Sequence, residues 1–126
     1  MVGDFKELIA YKKGFQLAMG IFESSKTFPL QEKYSLTDQV RRSSRAICAN
    51  MAEAYRKRRY PAHFTSKLTD SDAENSETQV WLDFSLACQY LDEDKDNQLT
   101  NLSQEVGRLI AYMINNPAKF CTHTTA

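Results

Sequence analysis

The sequence predicts an all-α protein, an antiparallel up-down-up-down four-helix bundle forming one domain over residues 1–126. Three observations lead there. Apolar residues recur at spacings of three and four rather than two. Only four glycines and three prolines interrupt the 126 residues. The prolines, Pro29, Pro61 and Pro117, cut the chain into lengths that suit helices joined by short turns. A chain of 14.5 kDa hides roughly two-thirds of its unfolded surface, enough for a core without disulfides or metal.

The first helix is expected over residues 4–27. Leu8, Tyr11, Phe15, Ala18 and Phe22 form its seam, widened by Phe5, Ile9, Met19 and Ile21. Asp4 and Glu7 suit the positive end of its dipole. Gly14 and Gly20 each cost up to about 1 kcal/mol relative to Ala, so packing must hold this helix, and they mark close approach. Phe28-Pro29 ends it, because the residue before proline avoids the helical region.

The second helix is expected over 35–58, with Ser35 as N-cap of an S-x-x-D pattern completed by Asp38. Its seam is Leu36, Val40, Ser43, Ile47, Asn50 or Met51, and Ala54. The third spans 61–91, and Pro61 is favourable at its first position. Phe64, Leu68 and Ser71 begin its stripe; Glu77, Trp81, Phe84, Cys88 and Leu91 continue it, with Val80 and Leu82 alongside. Residues 69–78 are almost wholly polar, which an apolar core does not explain. The fourth spans 96–115 and turns Leu99, Leu102, Val106, Leu109, Ile110 and Met113 inward. Asn116-Pro117 stops it, and residues 117–126 form a tail, Thr-rich and expected to fray after Lys119.

Sixteen basic residues balance sixteen acidic ones, so the net charge is zero. Read globally, that argues against a strongly basic nucleic-acid binder. Read by segment, it resolves into two opposed blocks. Residues 35–60 carry seven basic groups against two acids, a balance of +5. Residues 70–96 carry nine acids against Lys95, a balance of −8. If helices two and three turn near Tyr60-Pro61, positions whose numbers sum to about 120 lie level. Arg45 then faces residues 72–77, and Arg41 and Arg42 lie near 77–81. Salt bridges within or between subunits are the first explanation of these three arginines, and a phosphate-binding stripe is the second. The run Arg56-Lys57-Arg58-Arg59, flanked by Tyr55 and Tyr60, has fewer acids level with it. It is the better candidate for phosphate contact, set against a solvated corner that complements a helix C-terminus.

Other chemistries lack their residues. No apolar run approaches the ~20 residues of a membrane span. The N-terminus carries no export signal, so a cytoplasmic protein without membrane contact is expected. Cys48, Cys88 and Cys121 form no C-x-x-C pair, and Cys48 and Cys88 read as small core residues. Neither His63 nor His123 follows a glutamate by three, as a di-iron bundle requires. Asp70, Glu74 and Glu77 share a helix face, but the calcium-loop spacing is absent. No metal, cofactor or catalytic residue is expected, and the chain reads as a non-enzyme. His63 reads as a surface or capping residue, and Trp81 as a core or interface anchor.

Several stretches carry a resemblance. They are Phe28-Pro29 followed by Glu32, Tyr34-Ser35-Leu36 with Gln39, Arg41-Arg42, the run from Ile47 to Glu53 that holds Asn50, then Arg56, Glu77-Thr78 and Trp81-Leu82. In this order they resemble the four-helix bundle proteins encoded in intervening sequences of 23S rRNA genes, over about residues 5–115. The resemblance implies a homopentamer with a central channel and a link to RNA. A related branch serves as accessory subunit of diversity-generating retroelements, where a basic pentamer binds a reverse transcriptase and nucleic acid. This chain departs in having Ala54 where the family's N-x-A-E-G pattern has Gly, Ala73-Glu74 where it has a Gly-Ser pair, and no net positive charge. Under the resemblance Asn50, Glu53, Glu77 and Trp81 fix register and partner choice within or between bundles. The expected partners are further copies of the chain, and structured RNA or a nucleic-acid-processing protein. Arg56, Lys57, Arg58 and Arg59 are the first candidates for nucleic-acid contact, and Arg41, Arg42 and Arg45 the second. The alternative is a protein–protein adaptor that uses the acidic face of helix three and binds no nucleic acid.

Overall fold

Four helices account for the periodicity: α1 (Ile9–Ser25), α2 (Leu36–Arg56), α3 (Pro61–Ala87) and α4 (Glu93–Asn115). Single 3₁₀ turns lie at Phe5–Glu7, Leu30–Glu32 and Pro117–Lys119. The computed structural model describes residues 3–122, and no strand occurs among them. His123, the start Met1-Val2 and the end of the expected tail lie outside the described residues.

The helix ends differ from expectation for local reasons. The Asp4 carboxylate accepts from the Lys6 N–H and holds a separate 3₁₀ turn. Leu8 is then extended, which sends its side chain into the core before α1 begins. Ser35 stands at the start of α2 but makes no capping bond to it. Its hydroxyl instead donates to Glu32 Oε1 at 2.6 Å, and the Leu36 N–H points at the same oxygen at 3.5 Å. The capping carboxylate thus precedes the helix. α3 stops at Ala87 because Gln89 takes a left-handed φ of 64°, which lets Tyr90 N–H reach the Ser85 carbonyl at 2.9 Å. α4 starts early, at Glu93, because Asp92 accepts from the Lys95 N–H at 2.7 Å.

α1 packs on α2 and α4, and α3 packs on the same two, with no close backbone approach between α1 and α3 or between α2 and α4. Residues meet at near-constant number sums. On α2 and α3 these are Ser43 with Thr78, Ile47 with Ser71 and Glu53 with Lys67. On α1 and α4 they are Lys13 with Glu105 and Gly20 with Leu99.

The buried face of α1 is Ala10, Gly14, Leu17, Ala18, Ile21 and Ser25, rotated from the expected seam. Phe15 is 52% exposed and Met19 43%, and Ile9 is exposed as well. The small residues explain the rotation. A Cβ on Gly14 would stand 3.2 Å from Cys48 Sγ, and one on Gly20 would stand 2.9 Å from Leu99 Cδ2. Where backbones come this close, the glycine side faces inward and the aromatics are displaced outward. On α2 the seam holds, with Met51 rather than Asn50 at the inward position. On α4 Leu99, Val106, Ile110 and Met113 are buried, and Leu102 and Leu109 are half-buried.

On α3 the core runs through Phe64, Leu68, Ser71, Asn75, Thr78, Leu82 and Ser85. Trp81 is half-buried, and Val80, Phe84 and Cys88 are exposed, which corrects the expected stripe and the reading of Cys88 as a core residue. The polar middle of α3 therefore turns Ser71, Asn75 and Thr78 inward, and each of these buried side chains is bonded. Ser71 Oγ donates to the Ile47 carbonyl at 2.7 Å. Thr78 Oγ1 donates to Ser43 Oγ at 2.9 Å. Asn75 Nδ2 donates to the Ser103 carbonyl at 2.9 Å, and the Ser103 hydroxyl returns a bond to Asn75 Oδ1 at 2.8 Å. These bonds form a polar layer between apolar ends.

Candidate nucleic-acid interface

Arg41, Arg45, Ala49, Ala52 and Arg56 succeed one another by three or four residues, so they share one side of α2. That side faces away from the core, and the two alanines leave a low track between the arginines. From Arg41 to Arg56 the track is about 22 Å long at 1.5 Å per residue.

The arginines are held from the α1 side. Arg41 Nε donates to Ser25 Oγ at 2.8 Å, and its guanidinium lies 4.9 Å from the Phe22 ring centre. Arg45 lies 5.7 Å from the same ring and has no carboxylate partner among the described residues. This corrects the expectation that Arg41 and Arg45 face the acids of α3. One residue of rotation decides it, because Arg42 alone points to α3. Arg42 Nη1 bonds Glu74 Oε2 at 3.3 Å, and Nη2 bonds Glu77 Oε2. Lys33, Tyr34, Asp38 and the three arginines surround a shallow depression of about 600 Å³.

The α2–α3 corner completes the surface. Arg58 is half-buried, its Nε donating to the Tyr55 carbonyl at 2.8 Å and its guanidinium lying 3.6 Å from the Tyr55 ring centre. That leaves its two terminal nitrogens as a fixed fork. Arg56, Arg58 and Arg59 line a cleft of about 320 Å³ together with Tyr55, Phe5 and Asp4. Arg56, Lys57 and Arg59 are exposed and make no ion pair among the described residues. The His63 ring lies 5.7 Å from that of Tyr60, tilted by 54°, at the same corner.

The polar residues expected to fix register or assembly find partners inside the chain. Asn50 Nδ2 donates to the Ala46 carbonyl of its own helix. Glu53 takes the Lys67 ammonium at 3.1 Å, which pushes the Lys67 pKa up. Glu77 holds Arg42 and accepts from Trp81 Nε1 at 3.3 Å. Asp70 lies 3.7 Å from Lys67, so much of the acidic face of α3 is paired. No three His, Cys, Asp or Glu side chains converge among the described residues. Among the described residues no helix is long and apolar enough to cross a membrane.

The sequence model of the 23S rRNA-intervening sequence protein family matches residues 6–112. The chain belongs to that family. The match takes in the basic track, the corner at 56–59 and the polar layer. Among solved structures, a protein of unknown function from the S23 ribosomal protein family of Bacteroides thetaiotaomicron VPI-5482 is similar at 25% identity. The likeness covers 84% of this chain and 98% of that one, with a TM-score of 0.75. No curated protein matches significantly.

Lys33, Tyr34 and Phe22 were missed as parts of this surface. The spacing of Arg41, Arg45 and Arg56 was the available signal, since it separates them from Arg42 on the helix wheel.

Proposed function

We propose that the chain is an antiparallel up-down-up-down bundle that self-associates and binds structured RNA through phosphate contacts, without catalysing a reaction. The constant number sums between paired helices support the antiparallel order. One observation carries the RNA reading: Arg45 and Arg56 share one side of α2, Arg56, Lys57 and Arg59 form the corner at its end, and none of the four has a carboxylate partner among the described residues, beside the prearranged fork of Arg58. Guanidinium forks fit phosphate oxygens, and an uncompensated basic edge attracts a polyanion. Membership of a family named for 23S rRNA intervening sequences supports the same partner class. A cytoplasmic setting follows from such a partner.

Self-association is supported by Phe15 and Met19, large apolar groups left uncovered on α1. The expected copy number, from the family resemblance, is five. Light scattering reads it, and Phe15→Glu is expected to yield monomers that keep their helicity. A wild-type monomer contradicts this part.

The RNA reading is tested with a structured RNA hairpin and fluorescence anisotropy. Replacing Arg56, Lys57 and Arg59 together by Glu is expected to weaken binding by at least about tenfold while helicity is unchanged. Equal affinity contradicts it.

A further inference from the structure

The cleft at the other end of α2 has different chemistry. Tyr34, Trp81 and Phe84 line a depression of about 440 Å³ that also contains Glu32, Gln39 and Cys88. The Trp81 and Phe84 rings stand 6.0 Å apart and are tilted by 36°. Phe84 is 54% exposed, and Tyr34 is almost fully exposed. The indole is pinned at its nitrogen by Glu77. Glu32 is the charged residue of the lining. Its Oε1 accepts from Ser35 at 2.6 Å and its Oε2 from Tyr90 at 2.9 Å. These bonds lower its pKa and keep the carboxylate ionised. A carboxylate has about four acceptor positions, so Oε2 still has one to offer.

We infer that this cleft is a binding site for an arginine side chain presented by another polypeptide, stacked on Trp81 and Phe84 with one N–H donated to Glu32. Three aromatic faces beside a fixed anion attract an organic cation through the ring quadrupoles and the carboxylate charge together. A planar guanidinium suits them better than an ammonium, because it stacks and donates at once and is weakly hydrated. The chain repeats that pairing inside itself: Arg58 lies over Tyr55, and Arg41 and Arg45 lie over Phe22. Glu77, which pins the indole, holds Arg42 together with Glu74, so Arg42 presents no unpaired positive charge beside Trp81. On the far side, Lys33 already lies 5.2 Å from the Tyr34 ring, which leaves Trp81 and Phe84 as the open platform.

The inference does not rest on RNA binding: the cleft lies at the opposite end of α2 from the basic corner, and it shares only Tyr34 with the depression around Arg41 and Arg45. Two residues make it readable. Trp81 is the only tryptophan, so its fluorescence reports on the cleft. Cys88 is the exposed cysteine, while Cys48 and Cys121 are buried, so thiol alkylation also reports there. The full-length protein is titrated with a capped Gly-Arg-Gly peptide and with its citrulline counterpart, which has the same shape without the charge. The expected result is a saturable Trp81 change and Cys88 protection with the arginine peptide, about tenfold weaker with citrulline. Glu32→Gln, which keeps an acceptor for Ser35, and Phe84→Ala, at an exposed position, are each expected to lower the affinity severalfold with helicity unchanged. Equal response to both peptides shows an apolar groove without charge recognition and overturns the inference. So does no saturable response. A Cys88 that is unreactive before peptide is added shows the cleft covered by a second copy, and overturns it too.

Discussion

Asp96 buries an oxygen, Oδ1, that finds no hydrogen-bond partner among the described residues. Burial first and the nearby Asp83 charge second push its pKa up. A raised carboxyl pKa means the folded state holds the proton more tightly than the unfolded state does. Stability from this site is fully present below the unfolded value, about 3.9, and is lost as pH rises through the folded value. Asp96→Asn removes the buried charge and is expected to raise stability at pH 7 by about 1 kcal/mol, with the gain vanishing at pH 3. Thermal unfolding at the two pH values checks it; a gain of equal size at both contradicts it. The sequence could not single out Asp96, because Asp92, Glu93 and Asp94 beside it look the same and are exposed. The cysteines carry a second residue-scale expectation. Burial pushes the Cys48 thiol up to about 11, so at pH 8 it is almost wholly protonated. One cysteine, Cys88, is expected to react with a maleimide in the native protein, and all three after unfolding; peptide mass mapping identifies which.

At the scale of elements, the polar layer is what the sequence concealed. The residues Phe64, Leu68, Ser71, Asn75, Thr78, Leu82 and Ser85 keep steps of three and four without a break. An apolar filter skips Asn75 and Thr78 and moves onto Glu77, Trp81, Phe84 and Cys88, the neighbouring outer stripe of the same helix. Periodicity was legible, but the phase was not, because polar side chains fill the inward positions and aromatics stand outside. The same happened on α1, where Gly14 marks the inward side and Phe15 the outward one. A layer that satisfies its own donors fixes the level at which helices meet. Asn75→Ala is expected to cost about 2 kcal/mol, since it leaves the Ser103 hydroxyl without its acceptor and opens a void. Thr78→Val with Ser43→Ala removes both partners of one bond, so the double variant is expected to lose about 1 kcal/mol less than the sum of the singles. Denaturant unfolding of the four proteins measures that coupling, and additive losses contradict it.

At the scale of the whole molecule, the zero net charge divides into internal pairs and an uncovered edge. The sequence showed the two opposed blocks and the four helices, because charge runs and helix periods are local. It did not show which arginines are paired inside the chain. That depends on one residue of helix rotation, which sends Arg42 to Glu74 and Glu77 and turns Arg41 and Arg45 to the α1 side. The corner at residues 56–59 was legible for the opposite reason: four consecutive basic residues cannot all face one neighbour. The proposed role of this edge is to hold RNA by its phosphates. The most direct measurement is the salt dependence of affinity for a structured RNA, compared between the wild type and the variant with Glu at positions 56, 57 and 59. A log–log slope of about −3 or steeper is expected for the wild type, and a slope shallower by about two to three in the variant. RNA binding that is unchanged by salt, or a slope that charge reversal leaves intact, would contradict it.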